Sequence, residues 1–463
     1  MQPPFDISAD LDTPVSTWLK LAPLRPRYLL ESVEGGAHLA RYSFLGFGKT
    51  VEFRLDSAGM RVAGVARARP ADREQLLAAL RTTLAQAPRL SPVIPDLPFA
   101  GGLVGVAGYD LVRYFERLPH APEHPNNPVA PEAAYVAAES LLVFDHLTRR
   151  IALLHAGDEQ ARKRLREQVI ELLRGALPPA PPKGSQTAAV QSLSGDEYMR
   201  AVDASKGHIA RGDVYQLVLS VQFTGRHTLS PFETYRALRL LNPSPYMFFV
   251  DLGDIQVAGS SPEALVKLRR GHASLRPIAG TRPRGETPEQ DRSHEQSLLA
   301  DEKENAEHVM LVDLARNDLG RVATAGSVHV DPYRCIERYS HVMHIVSGVQ
   351  GELAAGKDAF DLFAAAFPAG TLVGAPKVRA MELIDEMEPV RRGLYAGTVG
   401  YFGSNGDMDQ AIAIRTLIFR GDTYSYQAGA GIVADSVPET EYNEVLAKSA
   451  ILRSALAMAE EGL

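Results

Sequence analysis

The chain has 463 residues, 45% of them hydrophobic and 23% charged, with a formal net charge of −7. That length and apolar content can bury one large core or two medium ones, and the acidic balance argues against a nucleic-acid-binding surface. The single cysteine, Cys335, excludes an intrachain disulfide and fits a reducing compartment. The N-terminal MQPPFDISAD lacks a basic stretch followed by an apolar run, and no segment reaches the roughly 20 apolar residues of a membrane helix, so a cytoplasmic setting is expected.

In chain order, residues 1–176 mix strands and helices. Alternating runs such as VEFRLDSAGMRVAGVA, with Gly and Asp-Ser turns, predict antiparallel pairing. REQLLAALRTTLAQ and the amphipathic EQARKRLREQVIELLRGAL predict helices. Pro178, Pro179, Pro181 and Pro182 break helix and strand alike, which marks residues 177–186 as a linker. Residues 187–463 open with a helix capped by the Ser194–Glu197 box. A strand (DVYQLVLSVQF), a helix and the strand runs YMFFVDLG, IQVAGS, ALVKLRR and HASLRPIAG follow. Strands and helices without regular βαβ alternation imply an α+β or complex α/β sandwich. Neither a dinucleotide fingerprint nor a phosphate loop occurs.

Two acidic helices stand out. In DEKENAEHVMLVDLARND (301–318), Glu304 and Glu307 share one helical face, and the apolar VMLVDLA carries that helix into the core. Carboxylates at the mouth of a buried helix repel unless a cation joins them, and Mg2+ is a hard ion suited to that role. In SVPETEYNEVLAKSAILRSALAMAE (436–460), Ser436 and Glu439 predict a second capping box, with Pro438 in the first turn. Glu441, Glu444 and Lys448 follow beside a packing stripe of Tyr442, Val445, Leu446 and Leu452. Spacing alone is more often met by solvated helix faces with local ion pairs.

The motifs PIAGTRPRG (277–285), the first acidic helix, FPAGTLVGAPKVRAMELIDEMEP (367–389), GTVGYF (397–402), IAIRT (412–416), QAGAGIV (427–433) and the terminal EYNE occur in that order. This succession resembles the chorismate-utilising enzymes, which include anthranilate, aminodeoxychorismate, isochorismate and salicylate synthases. The resemblance implies a sandwich of largely antiparallel sheets with outer helices, and a chorismate-binding domain over 187–463. It also implies Mg2+ held by Glu307 and Glu444, with Glu304 and Glu441 acting through water. Gly280 and Thr281 would meet the ring carboxylate. Tyr401, Arg415 and the amides of a Gly429-Ala430-Gly431 turn would hold the second carboxylate, and Lys448 would add charge near the metal end. Glu263 corresponds to the general acid, His344 to the residue needed for pyruvate elimination, and Thr371 to a further active-site position.

Branch-specific residues narrow the resemblance. Hydroxylating members carry a water-activating lysine where this chain has Gln216, which favours ammonia as nucleophile. Aminodeoxychorismate synthases typically carry lysine where this chain has Ala279, which points to the anthranilate synthase branch. RYLLESVEGG (27–36) and NPSPYMFF (242–249) resemble the segments of a tryptophan feedback pocket, giving Glu31, Ser32, Pro243, Tyr246 and Met247. Asn-Pro-Ser-Pro is also an ordinary turn entering a strand. Cys335 lacks the glycine-flanked setting of a glutaminase nucleophile, so a separate glutamine amidotransferase subunit, in a heterotetramer, is the expected ammonia source. The alternatives are an aminodeoxychorismate synthase and a non-catalytic tryptophan-binding relative.

Overall fold

The computed structural model describes residues 4–32, 41–119, 130–338 and 342–463. Its principal elements in the first region are β1 (Pro26–Glu31), β2 (Tyr42–Asp56), α1 (Arg73–Ala85), β3 (Gly102–Ala107), β4 (Ala133–Asp145), β5 (Arg150–His155) and α2 (Glu159–Arg174). Residues 177–185 form neither helix nor strand. Then come α3 (Gly195–Ala210), β6 (Gln216–Arg226), α4 (Pro231–Leu241), β7 (Tyr246–Asp251), β8 (Gln256–Ser261), β9 (Ala264–Arg269), β10 (Ile278–Pro283) and α5 (Glu302–Gly320). The chain ends with β11 (Cys335–Arg338), β12 (Val342–Val346), α6 (Lys377–Met387), β13 (Thr398–Gly403), β14 (Met408–Ile412), β15 (Thr416–Arg420), β16 (Thr423–Ile432) and α7 (Pro438–Glu461).

Among the described residues the strands form one 21-stranded sheet and a separate three-stranded sheet of β10, β12 and β11. Pairing is antiparallel, in line with the expected α/β sandwich. Strands from both regions share the large sheet: β1 pairs with β7, and β3 with β13.

Two apolar clusters flank these strands because successive residues point to opposite faces. On β4, Ala133, Tyr135 and Ala137 enter the larger cluster, whereas Ala134, Val136 and Ala138 enter the smaller one. The phase then changes, so that Leu142 faces the larger cluster and Leu141 the smaller. A register shift between Phe47 and Thr50, opposite Ser140 and Ala138, accompanies the change.

Helix ends follow local chemistry at one terminus and depart from it at another. The Ser194–Glu197 box forms as the sequence predicts, with Glu197 Oε2 2.8 Å from the Ser194 amide. The Ser436–Glu439 box does not form. Val437 is the N-cap residue of α7, and Pro438 starts the helix. Ser436 is instead buried, its hydroxyl accepting from the Val433 amide at 3.0 Å. A serine drawn into the β16–α7 connection is not available as a helix cap. No helix among the described residues is long and apolar enough to cross a membrane.

Candidate active site

The site lies where β6 and β16 end. Their ladder runs from Leu217 opposite Ile432 to Arg226 opposite Thr423, which sets Gly429, Ala430 and Gly431 across from Ser220, Leu219 and Val218. These residues therefore belong to a paired strand and not to the turn expected from the sequence. Their backbone is committed to the ladder, and the glycines serve a different purpose. A Cβ on Gly429 would stand 2.6 Å from the Tyr395 hydroxyl, and one on Gly431 would stand 2.8 Å from Gln216 Nε2. Glycine thus lets two polar side chains reach the end of the strand pair.

Gln216 begins β6, and its Nε2 lies 3.3 Å from Glu307 Oε1 on α5. Glu304, one turn earlier, sits against Gly280, whose φ of +67° is open to glycine and strained for other residues. Burial raises the Glu304 pKa, and the neighbouring Glu307 charge raises it further. On α7, burial also raises the Glu441 pKa, with the Glu444 charge adding to it against a hydrogen bond from Ser436. Lys303 of α5 is close enough to act electrostatically on Glu441, so the first turns of the two acidic helices lie near one another. Glu444 keeps 45% of its side chain exposed and pairs with Lys448 at 2.6 Å. Lys448 Nζ also donates to the Gly429 carbonyl at 3.1 Å, tying α7 to the strand end.

The donors here are all carboxylate oxygens, in two repelling pairs, which fits a hard divalent cation. No group of three or more histidine, cysteine, aspartate or glutamate side chains among the described residues is arranged to hold a metal ion. Mg2+ does not require one, since it commonly uses one or two carboxylates together with substrate oxygens and water.

Glu263 follows β8 and is anchored through its carbonyl, which accepts from the Ile412 amide at 3.0 Å. Its carboxyl accepts from Thr371 Oγ1 at 3.0 Å. Leu265, Leu275, Leu311, Leu314, Ala366 and Ile412 line the same cavity, of about 50 Å³. Burial in this apolar setting pushes the Glu263 carboxyl up to about 7, against the Thr371 hydrogen bond and the Lys448 charge. Thr371 belongs to a single 3₁₀ turn, Gly370–Leu372.

His344 lies on β12 with Nδ1 2.9 Å from the Gly280 carbonyl and 3.1 Å from Thr281 Oγ1. A proton on Nδ1 donated to the carbonyl puts the basic lone pair on Nε2. Burial lowers the His344 pKa against that hydrogen bond, and the Arg415 charge lowers it further. Arg415, between β14 and β15, has a φ of +49°, unusual for a residue with a side chain.

Tyr401 is the predicted residue that stands apart. Its ring packs in the smaller apolar cluster, 4.6 Å from the Phe99 centroid, and the charges that act on it are those of Asp409, Lys267 and Asp407. Tyr395 occupies the position against Gly429 and feels the Glu444 charge. The two tyrosines flank one short glycine-rich run, so the motif did not separate them. Alternation on β13 sends Tyr401 to the far face. The left-handed Ala396, with a φ of +61°, turns the chain just after Tyr395.

The residues expected to bind tryptophan come together in part. Glu31 and Met247 are opposite one another on β1 and β7. Glu31 is buried, accepting from the Tyr235 hydroxyl at 2.5 Å and from Arg239 Nε at 3.1 Å. Ser32 follows Glu31, and residues 33–36 of that segment lie outside the described residues. Tyr246 donates to Asp409 at 3.0 Å, and Pro243 is exposed in the turn before β7.

The family described as chorismate binding enzyme matches residues 25–454. Anthranilate synthase component 1 of Acinetobacter calcoaceticus is 45% identical, covering 98% of this chain and 95% of its own length. That of Thermus thermophilus is 46% identical, covering 98% and 97%. Anthranilate synthase component I from Streptococcus pneumoniae TIGR4 matches in structure with a TM-score of 0.78 at 36% identity, covering 89% of this chain and 92% of the other. By sequence over nearly its whole length, and by fold, the chain belongs to the chorismate binding enzyme family.

Proposed function

We propose that this chain is the large subunit of an anthranilate synthase, which aminates chorismate with ammonia and eliminates pyruvate to give anthranilate, the first step of tryptophan biosynthesis. One observation carries the reading of the chemistry. Support comes from a carboxyl, Glu263, that burial pushes up to about 7, and a histidine, His344, that burial pushes down. That is an acid and a base available at the same pH.

Chorismate presents two carboxylates and a ring hydroxyl. Gly280 and Thr281 receive the ring carboxylate, with Lys448 adding charge near the metal end, while Arg415 and Tyr395 receive the enolpyruvyl carboxylate, the guanidinium through parallel hydrogen bonds. Glu307 and Glu444, supported by Glu304 and Glu441, would hold Mg2+, which when bound neutralises the ring carboxylate. Glu263, oriented by Thr371, gives its proton to the departing hydroxyl as ammonia adds to the ring. Gln216 has no lysine amine with which to activate water, which leaves ammonia as the nucleophile. His344 Nε2 then takes the ring proton at the aminated carbon as the enolpyruvyl oxygen leaves. The ring becomes aromatic, and the departing enolate takes up a proton at its methylene carbon to become pyruvate.

Ammonia comes from a separate glutaminase subunit in a heterotetramer, because Cys335 is bound up with the Val346 carbonyl at 3.3 Å and has no glutaminase setting. The free thiol of Cys335 is compatible with a cytoplasmic enzyme. Tryptophan would bind beside the paired strands β1 and β7, at Glu31, Ser32, Pro243, Tyr246 and Met247.

Incubated with chorismate, an ammonium salt and Mg2+, the chain should yield anthranilate and pyruvate in equal amounts. It should yield neither with a chelator present or with glutamine in place of ammonium, and tryptophan should slow it; aminodeoxychorismate as the product would defeat the assignment. The pH sign follows from Glu263. It donates only when protonated, so kcat should be high below about 7 and fall as pH rises through that value. Glu263→Gln should lower kcat by about 10²–10⁴-fold, and an unchanged rate would remove Glu263 from the mechanism. His344→Met should accumulate the aminated compound with its enolpyruvyl arm intact, detected by mass, and normal anthranilate output would overturn the role of His344.

A further inference from the structure

Behind the site lies a buried ion pair that the chemistry above does not use. Glu388 and Arg392 are 4% and 2% exposed, and they pair through Nη2–Oε1 at 2.7 Å and Nε–Oε2 at 3.0 Å. Removing two charges from water is costly, and such a pair persists where its geometry fixes something else. Arg392 directs its remaining donors at two backbone carbonyls. Nη1 donates to Leu372 O and Nη2 to Val218 O, each at 2.7 Å. Leu372 adjoins Thr371 in the Gly370–Leu372 turn, and Val218 lies on β6. The Val218 amide in turn donates to Val373 O at 2.9 Å, so turn and strand are closed on one another from both sides.

Glu388 fixes the other end of the clamp. Its Oε1 accepts from the Ser220 amide at 2.9 Å and from the Ser220 hydroxyl at 2.7 Å. The Arg392 guanidinium also lies 5.5 Å from the Tyr395 ring centroid and 5.0 Å from that of Tyr109. One planar group therefore touches the turn that carries Thr371, the strand that begins at Gln216, and the ring that meets Gly429. A lysine, with a point charge on a flexible stem, lacks the fork needed to hold both carbonyls and a carboxylate together.

We propose that Arg392, held by Glu388, is a positioning residue for the acid step: it clamps the Gly370–Leu372 turn onto β6 so that the Thr371 hydroxyl meets Glu263. The proposal rests on the reading of Glu263 as proton donor. Loss of the clamp withdraws a hydrogen bond that favours the Glu263 carboxylate, so the carboxyl becomes a weaker acid, as it would in Thr371→Val. Lys448 from α7 also acts on Glu263, and Arg276 and Asp318 line the same cavity; the substitutions leave all three in place.

The test uses Glu388→Gln/Arg392→Met, which removes both charges together, and Arg392→Lys, which keeps the charge and removes the fork. In the full-length chain labelled with 13C-carboxyl glutamate, the Glu263 resonance is identified by its absence in Glu263→Gln and titrated by NMR. Both variants should move the Glu263 midpoint upward, in the direction of Thr371→Val, and addition of Thr371→Val should move it no further. In the ammonia-dependent reaction, the alkaline limb of kcat should shift upward with it, and kcat should fall on the order of tenfold. A folded variant, checked by its melting curve, with an unmoved or lowered midpoint would overturn the proposal, as would a shift that adds to that of Thr371→Val. Should Glu388→Gln/Arg392→Met fail to fold, Arg392→Lys gives the same readings. If the unaltered chain made no anthranilate, the functional reading would fail while the carboxyl titration still decided the clamp.

Discussion

The ladder between β6 and β16 is the constraint on which the site depends. It joins segments some two hundred residues apart and sets Gln216, at the start of β6, beside Gly431, near the end of β16. Several other parts are placed from its edges. α7 follows β16 within a few residues and carries Glu441, Glu444 and Lys448 back over the strand end. α5 meets the same edge through Glu307 and Gln216. The Gly370–Leu372 turn is bonded to β6 through Val218.

The glutamates near this ladder differ in their surroundings. Glu263 lies in an apolar cavity, which favours the neutral acid and suits it to give a proton away. The glutamates of α5 and α7 stand in pairs near open solvent, where mutual repulsion leaves them suited to a cation. Desolvation governs the first case and like charge contributes to the second, so the same side chain meets two different electrostatic settings.

Periodicity and capping made several features legible in the sequence. The spacing of Glu304 with Glu307 and of Glu441 with Glu444 marked faces of single helices, and the Ser194–Glu197 box marked a helix start. The antiparallel class followed from alternating runs. Other features depend on contacts distant in sequence. Gly429-Ala430-Gly431 resembles a turn in isolation and becomes a strand because β6 lies beside it. Ser436 has the spacing of a cap and is drawn into a connection instead. Tyr395 and Tyr401 differ in role through strand parity and one left-handed residue, neither of which a motif records. Glu388 and Arg392 look like an ordinary i, i+4 surface pair until Val218, Ser220 and Leu372 enclose them.

The account stands on carboxylates from α5 and α7 sharing one divalent ion. Crystals of the chain soaked in Mn2+ as a substitute for Mg2+, with anomalous diffraction recorded at the manganese edge, test this directly. A single strong peak bounded by Glu307 and Glu444 is the predicted result. A map at saturating Mn2+ with no peak between these two side chains, or with the ion held by other residues, would contradict it.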